Sequence, residues 1–201
     1  FEMGTSLLRC TARHRLRVLA QLIYINDITE SISSELKLFA NDCLLYRVIR
    51  SAKDCDLLQK DLDRLVAWSK RWLMKFNVKK CQSMSVHRLR SRYIQHTYSM
   101  DGSTLTQTNE QKYLGVTITT KLRWNTHIGN IVAKSNRMLG LVKRNLHMCS
   151  KSAKSTAYVS LVRSNTEYAA SVWDPFTAVN IQKIEAVQHR AARFVSRNYD
   201  W

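Results

Sequence analysis

Apolar residues recur along this chain with two periods, and the change from one to the other divides it. Leu36, Leu38 and Ala40 alternate with Lys37 and Phe39, and Leu44 to Ile49 is a second run rich in strand formers. With the turn signal Asn41-Asp42 between them, the two runs predict a hairpin with polar side chains at its tip. A helix follows: Ser51 and Asp54 make a capping-box start, and Leu58, Leu62, Leu65, Trp68 and Trp72 recur every three or four residues. Short strands are then predicted over Cys81 to Val86, Ile94 to Met100 and Thr104 to Gln107, the last two joined at Asp101-Gly102. Tyr113 to Thr119 reads as one more β-rich run.

Beyond Lys121 the period becomes helical. Ile128, Ile131, Val132, Ser135, Met138, Leu139 and Val142 trace one face. Ala157, Val159, Leu161 and Val162 predict a second helix, and Ile181, Ile184, Val187, Ala191, Phe194 and Val195 a third. Towards the start, Val18 to Tyr24 reads as the end of a helix, with Asp27 and Thr29 capping a short turn, and residues 1–16 show no period and read as loop. The expected fold is α+β followed by an all-α region. Its segments are 1–17, 18–120 and 121–201, with the boundary near Thr120.

Composition adds a partner class. Lys and Arg number 32 against 15 Asp and Glu, a net charge of +17, in a chain that is 45% hydrophobic and so able to form a core. The excess is local: Arg64 to Met100 holds nine basic residues and no acid, and Gln111 to Thr166 holds ten and no acid. Such stretches suit a polyanion, whose counterions are released on binding; a solvated basic surface is the alternative. The five cysteines, Cys10, Cys43, Cys55, Cys81 and Cys149, and the six histidines lack zinc-site spacing. They read as reduced thiols and ordinary histidines of an intracellular protein. No apolar run approaches the roughly 20 residues of a membrane helix.

The hairpin tip carries the candidate chemistry. Carboxylates at a tight turn, joined by one from a neighbouring strand, hold two Mg²⁺ ions for nucleotidyl transfer, although Asn-Asp alone is ordinary turn chemistry. The ordered blocks around it are more specific. They are Leu22-Ile23-Tyr24-Ile25-Asn26-Asp27, Leu38-Phe39-Ala40-Asn41-Asp42, Met74-Lys75-Phe76-Asn77 with Lys80-Cys81, and Tyr113-Leu114-Gly115-Val116-Thr117-Ile118. Further blocks begin at Trp124, at Glu167 and at Ile184. From about residue 18 to 198 the chain resembles the reverse transcriptases of non-LTR, LINE-type, jockey-like retrotransposons.

That resemblance implies a partial polymerase palm followed by a thumb-like helical region. It also implies RNA-directed DNA polymerase ancestry, Mg²⁺ in the parent family, and an RNA and DNA template–primer as partner, in the nucleus or cytoplasm. It assigns the metal-binding hairpin to Asn41 and Asp42, a phosphate neighbour to Lys80, and the primer grip to Tyr113, Leu114 and Gly115. Lys134, Arg137 and Arg144, at spacings of three and seven on one predicted helix, are the candidate phosphate contacts. The family has Asp where Asn41 stands, and the other essential carboxylate is expected before Phe1. The expectation is therefore a fragment that is inactive alone; the alternative is a non-catalytic RNA- or DNA-binding remnant, or an expressed relic without a selected role. The tryptophans Trp68, Trp72, Trp124 and Trp173 are expected in the core rather than against bases.

Overall fold

A computed structural model describes residues 4–13, 26–40, 42–87 and 94–197, the first stretch as backbone. The expected helix end over Val18 to Tyr24 lies outside the described residues. Helices and strands are mixed, as an α+β chain requires. Contacts divide the chain into two units: Phe1–Gln111 with Thr119–Leu122, and Lys112–Ile118 with Arg123–Trp201. The sequence reading put its boundary near Thr120; by contacts, residues 112–118 group with the helices.

The first unit is built on a six-stranded sheet. Its strands are β1 (Gly4–Arg13), β2 (Glu35–Phe39), β3 (Asp42–Ile49), β4 (Lys75–Phe76), β5 (Gln82–Val86) and, after the small pair β6 (Ser99–Met100) and β7 (Ser103–Thr104), β8 (Thr106–Gln107). The order is β2-β3-β1-β5-β8, with β4 paired to one end of β1. This corrects the reading of residues 1–16 as loop, because β1 lies between β3 and β5 and pairs antiparallel with both. Its sequence, GTSLLRCTAR, has no period of two. The strand is specified by partners on both edges, a context that local pattern does not record.

The β2–β3 hairpin forms in the predicted register, Phe39 opposite Asp42, with Ala40 at φ 49° in the turn. The Asp101-Gly102 hairpin also forms, with φ values of 49° and 75°, a turn that needs left-handed backbone at both positions. Its arms are shorter than expected: only Ser99–Met100 of the Ile94–Met100 run is strand, and Tyr98 instead anchors the segment through its buried ring.

Helix α1 (Ala52–Arg71) covers this sheet. Asp54 caps it by accepting from the backbone N–H groups of Arg50 and Ser51. Its apolar stripe, Leu58, Leu62, Leu65 and Trp68, is buried with Cys43, Leu45 and Ile49 of β3 and with Cys81, Met100 and Leu105. The Trp68 Nε1–H donates to Asp27 at 3.0 Å, which fixes the short turn before β2. Burial, with the neighbouring Cys81, pushes the Cys43 thiol up to about 12, so it remains a protonated core group.

Among the described residues of this unit one charged side chain is buried. Asp61 on α1 is fully enclosed, and accepts from Ser33 N–H, Ser33 Oγ–H and Ser34 N–H while Arg64 approaches at 2.8 Å. Burial pushes its pKa up, but these hydrogen bonds and Arg64 outweigh it and hold the carboxyl below its usual value. The Ser33–Ser34 turn is thereby tied to the helix.

The second unit takes in the Lys112–Ile118 part of β9 (Glu110–Tyr113) and β10 (Val116–Thr119), which pair with each other. Its helices are α2 (Asn125–Leu146), α3 (Lys151–Ala157), a π-helical turn at Tyr158–Arg163, α4 (Ser164–Glu167), α5 (Ala170–Trp173) and α6 (Ala178–Ser196). Tyr113 to Thr119 is thus a hairpin rather than one strand, because Leu114 and Gly115 take φ values of 45° and 84° and reverse the chain. Leu139 and Val142 of α2 pack with Val162 and with Val187, Ala191 and Phe194 of α6. A smaller core joins Val116 of β10, Ile128 of α2 and Trp173 of α5. Trp68 and Trp173 are buried and Trp72 and Trp124 half-buried, the core role expected of them.

Stability measurements check the assignment of the α1 face. Leu62 and Leu65 are 0% and 1% exposed, so truncating either to alanine should cost about 2–5 kcal/mol. Lys60 points to solvent, and Lys60→Ala should cost under about 0.5 kcal/mol. Equal losses in chemical denaturation would contradict the packing.

Candidate functional site

The carboxylate hairpin and the basic residues belong to different units, and each is described by itself. Asp42 opens β3, half-buried, and Thr11 of β1 stands opposite it. Asn41 lies outside the described residues. No Asp or Glu occurs in the whole of β1, and Glu35, the acid of β2, pairs with Tyr46 away from the tip. Among the described residues no three His, Cys, Asp or Glu side chains stand together. Magnesium takes hard oxygen donors, and two ions held together need several carboxylates to offset their charge. One aspartate, a neutral Asn41 and an opposing threonine do not fit that group. Lys80 lies in the 3-10 turn Val78–Lys80 just before β5, exposed, its N–H bonded to the Asn77 carbonyl.

In the second unit the structure brings several predicted residues together. A pocket of about 540 Å³ is lined by Gly115 at the β9–β10 turn, Lys112 of β9, Lys134 and Arg137 of α2, and Tyr168 just beyond α4. Lys134 and Arg137 lie one helical turn apart, both exposed, and neither forms an ion pair with an acid among the described residues. No Asp or Glu lines the pocket. Arg144 is exposed two turns further along α2, its Nη1 against Gly140, and does not line it. Tyr113 and Leu114 flank the turn half-buried.

Two contacts hold the turn, and the residues making them were not singled out from sequence. Tyr168 donates its hydroxyl hydrogen to the Leu114 carbonyl at 2.8 Å. Its ring also occupies the space beside Gly115: a Cβ there would stand 3.0 Å from Tyr168 Cε1, so glycine is required by space as well as by φ. The second contact is His127, 2% exposed at the start of α2, whose Nδ1 accepts the Thr117 N–H at 3.2 Å. Trp124 and Trp173 meet its ring edge-on. Accepting at Nδ1 leaves the single proton of the neutral ring on Nε2. That atom is buried and has no hydrogen-bond partner among the described residues. Burial, and then the charge of Lys112, lower the His127 pKa. A lone histidine carries no such signal in sequence, because its partner is a backbone N–H ten residues earlier.

Comparison with known proteins gives one group of relatives. The chain is 26% identical over 177 residues to the probable RNA-directed DNA polymerase from transposon X-element of Drosophila melanogaster, covering 85% of this chain and 19% of that protein. It is 27% identical over 143 residues to the probable RNA-directed DNA polymerase from transposon BS of the same fly, covering 69% and 16%. It is 26% identical over 150 residues to the RNA-directed DNA polymerase from mobile element jockey of Drosophila funebris, covering 70% and 16%. The chain therefore spans less than a fifth of the length of these relatives, which are of the kind the sequence blocks resembled. No family profile matches it. Among the described residues no helix is long and apolar enough to cross a membrane.

The buried neutral His127 gives the second unit a pH dependence. Its folded pKa is depressed, so the unfolded chain binds the proton more readily and stability falls as pH drops below the unfolded value of about 6.5. Protonation would also turn the Nδ1 acceptor into a donor facing another donor. His127→Asn keeps an acceptor oxygen without a titrating group. Thermal melts should therefore lose stability as pH falls below about 6.5 in the parent, and less steeply in the variant. Identical slopes would contradict this role.

Proposed function

We propose that this chain, a relative of the RNA-directed DNA polymerases of jockey-like non-LTR elements, is a degenerate reverse transcriptase segment that binds RNA or DNA without extending a primer. In this reading residues 18–120 derive from the polymerase palm and 121–201 from the thumb, and the place of action is the nucleus or cytoplasm. The observation that carries it is the acid-free pocket on which Lys112, Lys134 and Arg137 converge beside Gly115. Three cations from a strand and a helix, with no carboxylate among the lining, favour a phosphate-bearing partner over a generally solvated surface.

A primer 3′-hydroxyl attacks in line only when paired Mg²⁺ ions activate it and neutralise the leaving group, and Mg²⁺ is what the parent family would supply. Here Asp42 is opposed by Thr11, and Asn41 contributes no charge. What these residues retain is a hairpin scaffold without the charge to assemble the ions.

Two experiments test the reading. Purified chain with primed template, deoxynucleotides and Mg²⁺ or Mn²⁺ should give no extension above background. Asn41→Asp alone should not restore it, since half of the metal site would still lack a carboxylate ligand; template-dependent product from either version would overturn the catalytic half. Binding to an RNA–DNA duplex or hairpin RNA should weaken with salt by about 0.7–0.9 log units per phosphate contact per tenfold salt. Changing Lys134, Arg137 and Arg144 together to alanine should flatten that slope by roughly two to three units, for every sequence alike. An unchanged slope would remove this face from the interface.

A further inference from the structure

The three cations do not stand on an open face. They surround a pocket of about 540 Å³ that Asn130 and Asn165 also line, within the roughly 300–1,000 Å³ of small-ligand sites. Its charged groups are all positive, and His127 is part of its lining. The tautomer fixed by Thr117 directs the one remaining ring proton to Nε2, a buried N–H without an acceptor among the described residues. A buried donor left unmatched costs free energy, so this ring is sensitive to any change in its surroundings. The pocket lining therefore combines an ammonium pair, a guanidinium fork and amide groups, with no carboxylate to repel an anion.

We propose that this pocket is a discrete site for a single phosphate group. A phosphate presents three acceptor oxygens spread in space, which suits donors arriving from β9 and α2, whereas a carboxylate presents two in one plane. Arg137 supplies the forked pairing, with Lys112 and Lys134 as point charges. Tyr168 is a positioning residue. Its hydroxyl holds Leu114 and its ring fills the space beside Gly115, which fixes the turn that carries Lys112 next to α2. The inference rests on the reading of this unit as a polynucleotide binder, which it sharpens from a charged face to one seated phosphate.

The probe is inorganic phosphate added to the full chain at constant ionic strength, followed through the His127 ring resonances. The expected result is a saturable shift with a rise in the His127 pKa. Lys112→Ala and Tyr168→Phe should each weaken it by about tenfold, roughly one charge-assisted or positioning hydrogen bond, while Lys60→Ala leaves it unchanged. Short single-stranded oligonucleotides with and without a 5′-phosphate then identify the source. Competition by both means a chain phosphate is seated, and competition by the phosphorylated strand alone means a terminal one. A shift that never saturates, or that survives Lys112→Ala undiminished, overturns the site. Salt-dependent polynucleotide binding with silent His127 resonances overturns the pocket but keeps the proposed function. Saturable phosphate binding without polynucleotide affinity does the reverse.

Discussion

An isolated two-stranded hairpin has little stability in water, and the Lys112–Ile118 segment of β9 and β10 depends on what grips it. Two hydrogen bonds do so from the helical side: Thr117 N–H to His127 Nδ1, and Tyr168 Oη–H to the Leu114 carbonyl. Val116 adds an apolar anchor against Ile128 and Trp173. Because Tyr168 occupies the place of a side chain at 115, the turn tolerates glycine there and little else. The shape of the pocket follows from that grip, since without it Lys112 would not share the pocket with Lys134 and Arg137.

The same grip determines the electrostatics. Burying His127 lowers its pKa, so the lining does not add a fourth charge to three that already repel one another. The π-helical turn at Tyr158–Arg163 precedes the residues that bound the other side, Ser164, Asn165 and Tyr168. Such turns shift the register of a helix by one residue and recur at functional sites. The first unit shows the converse arrangement. Among the described residues its one fully buried carboxylate, Asp61, is consumed by Ser33, Ser34 and Arg64 to fasten a loop, and Asp42 at the hairpin tip is in register with Thr11.

Much of this was legible in the sequence. The leucine stripe of α1, its Ser51–Asp54 cap, the Asp101-Gly102 turn and the α2 and α6 faces are local patterns, and local physics forms them. The ordered blocks also led to the jockey-like relatives. What escaped notice depended on distant partners. Strand β1 shows no period of two and is defined instead by pairing along both edges, and the Tyr113–Thr119 run hid a turn whose left-handed Leu114 is held by a tyrosine 54 residues away. The pocket combined residues named beforehand, Gly115, Lys134 and Arg137, with Lys112, His127 and Tyr168, which were not. Helix spacing revealed the first pair of cations; only the fold shows which backbone groups face them.

Hydrogen exchange of the full chain with and without a hairpin RNA, at low salt, tests the central claim most directly. The account predicts slowed exchange confined to the β9–β10 turn around Leu114–Thr117 and to the first half of α2 around Asn130–Arg137, with α1 and β3 unchanged. Protection spread over α1, or RNA binding that leaves the β9–β10 turn exchanging at its free rate, would contradict it.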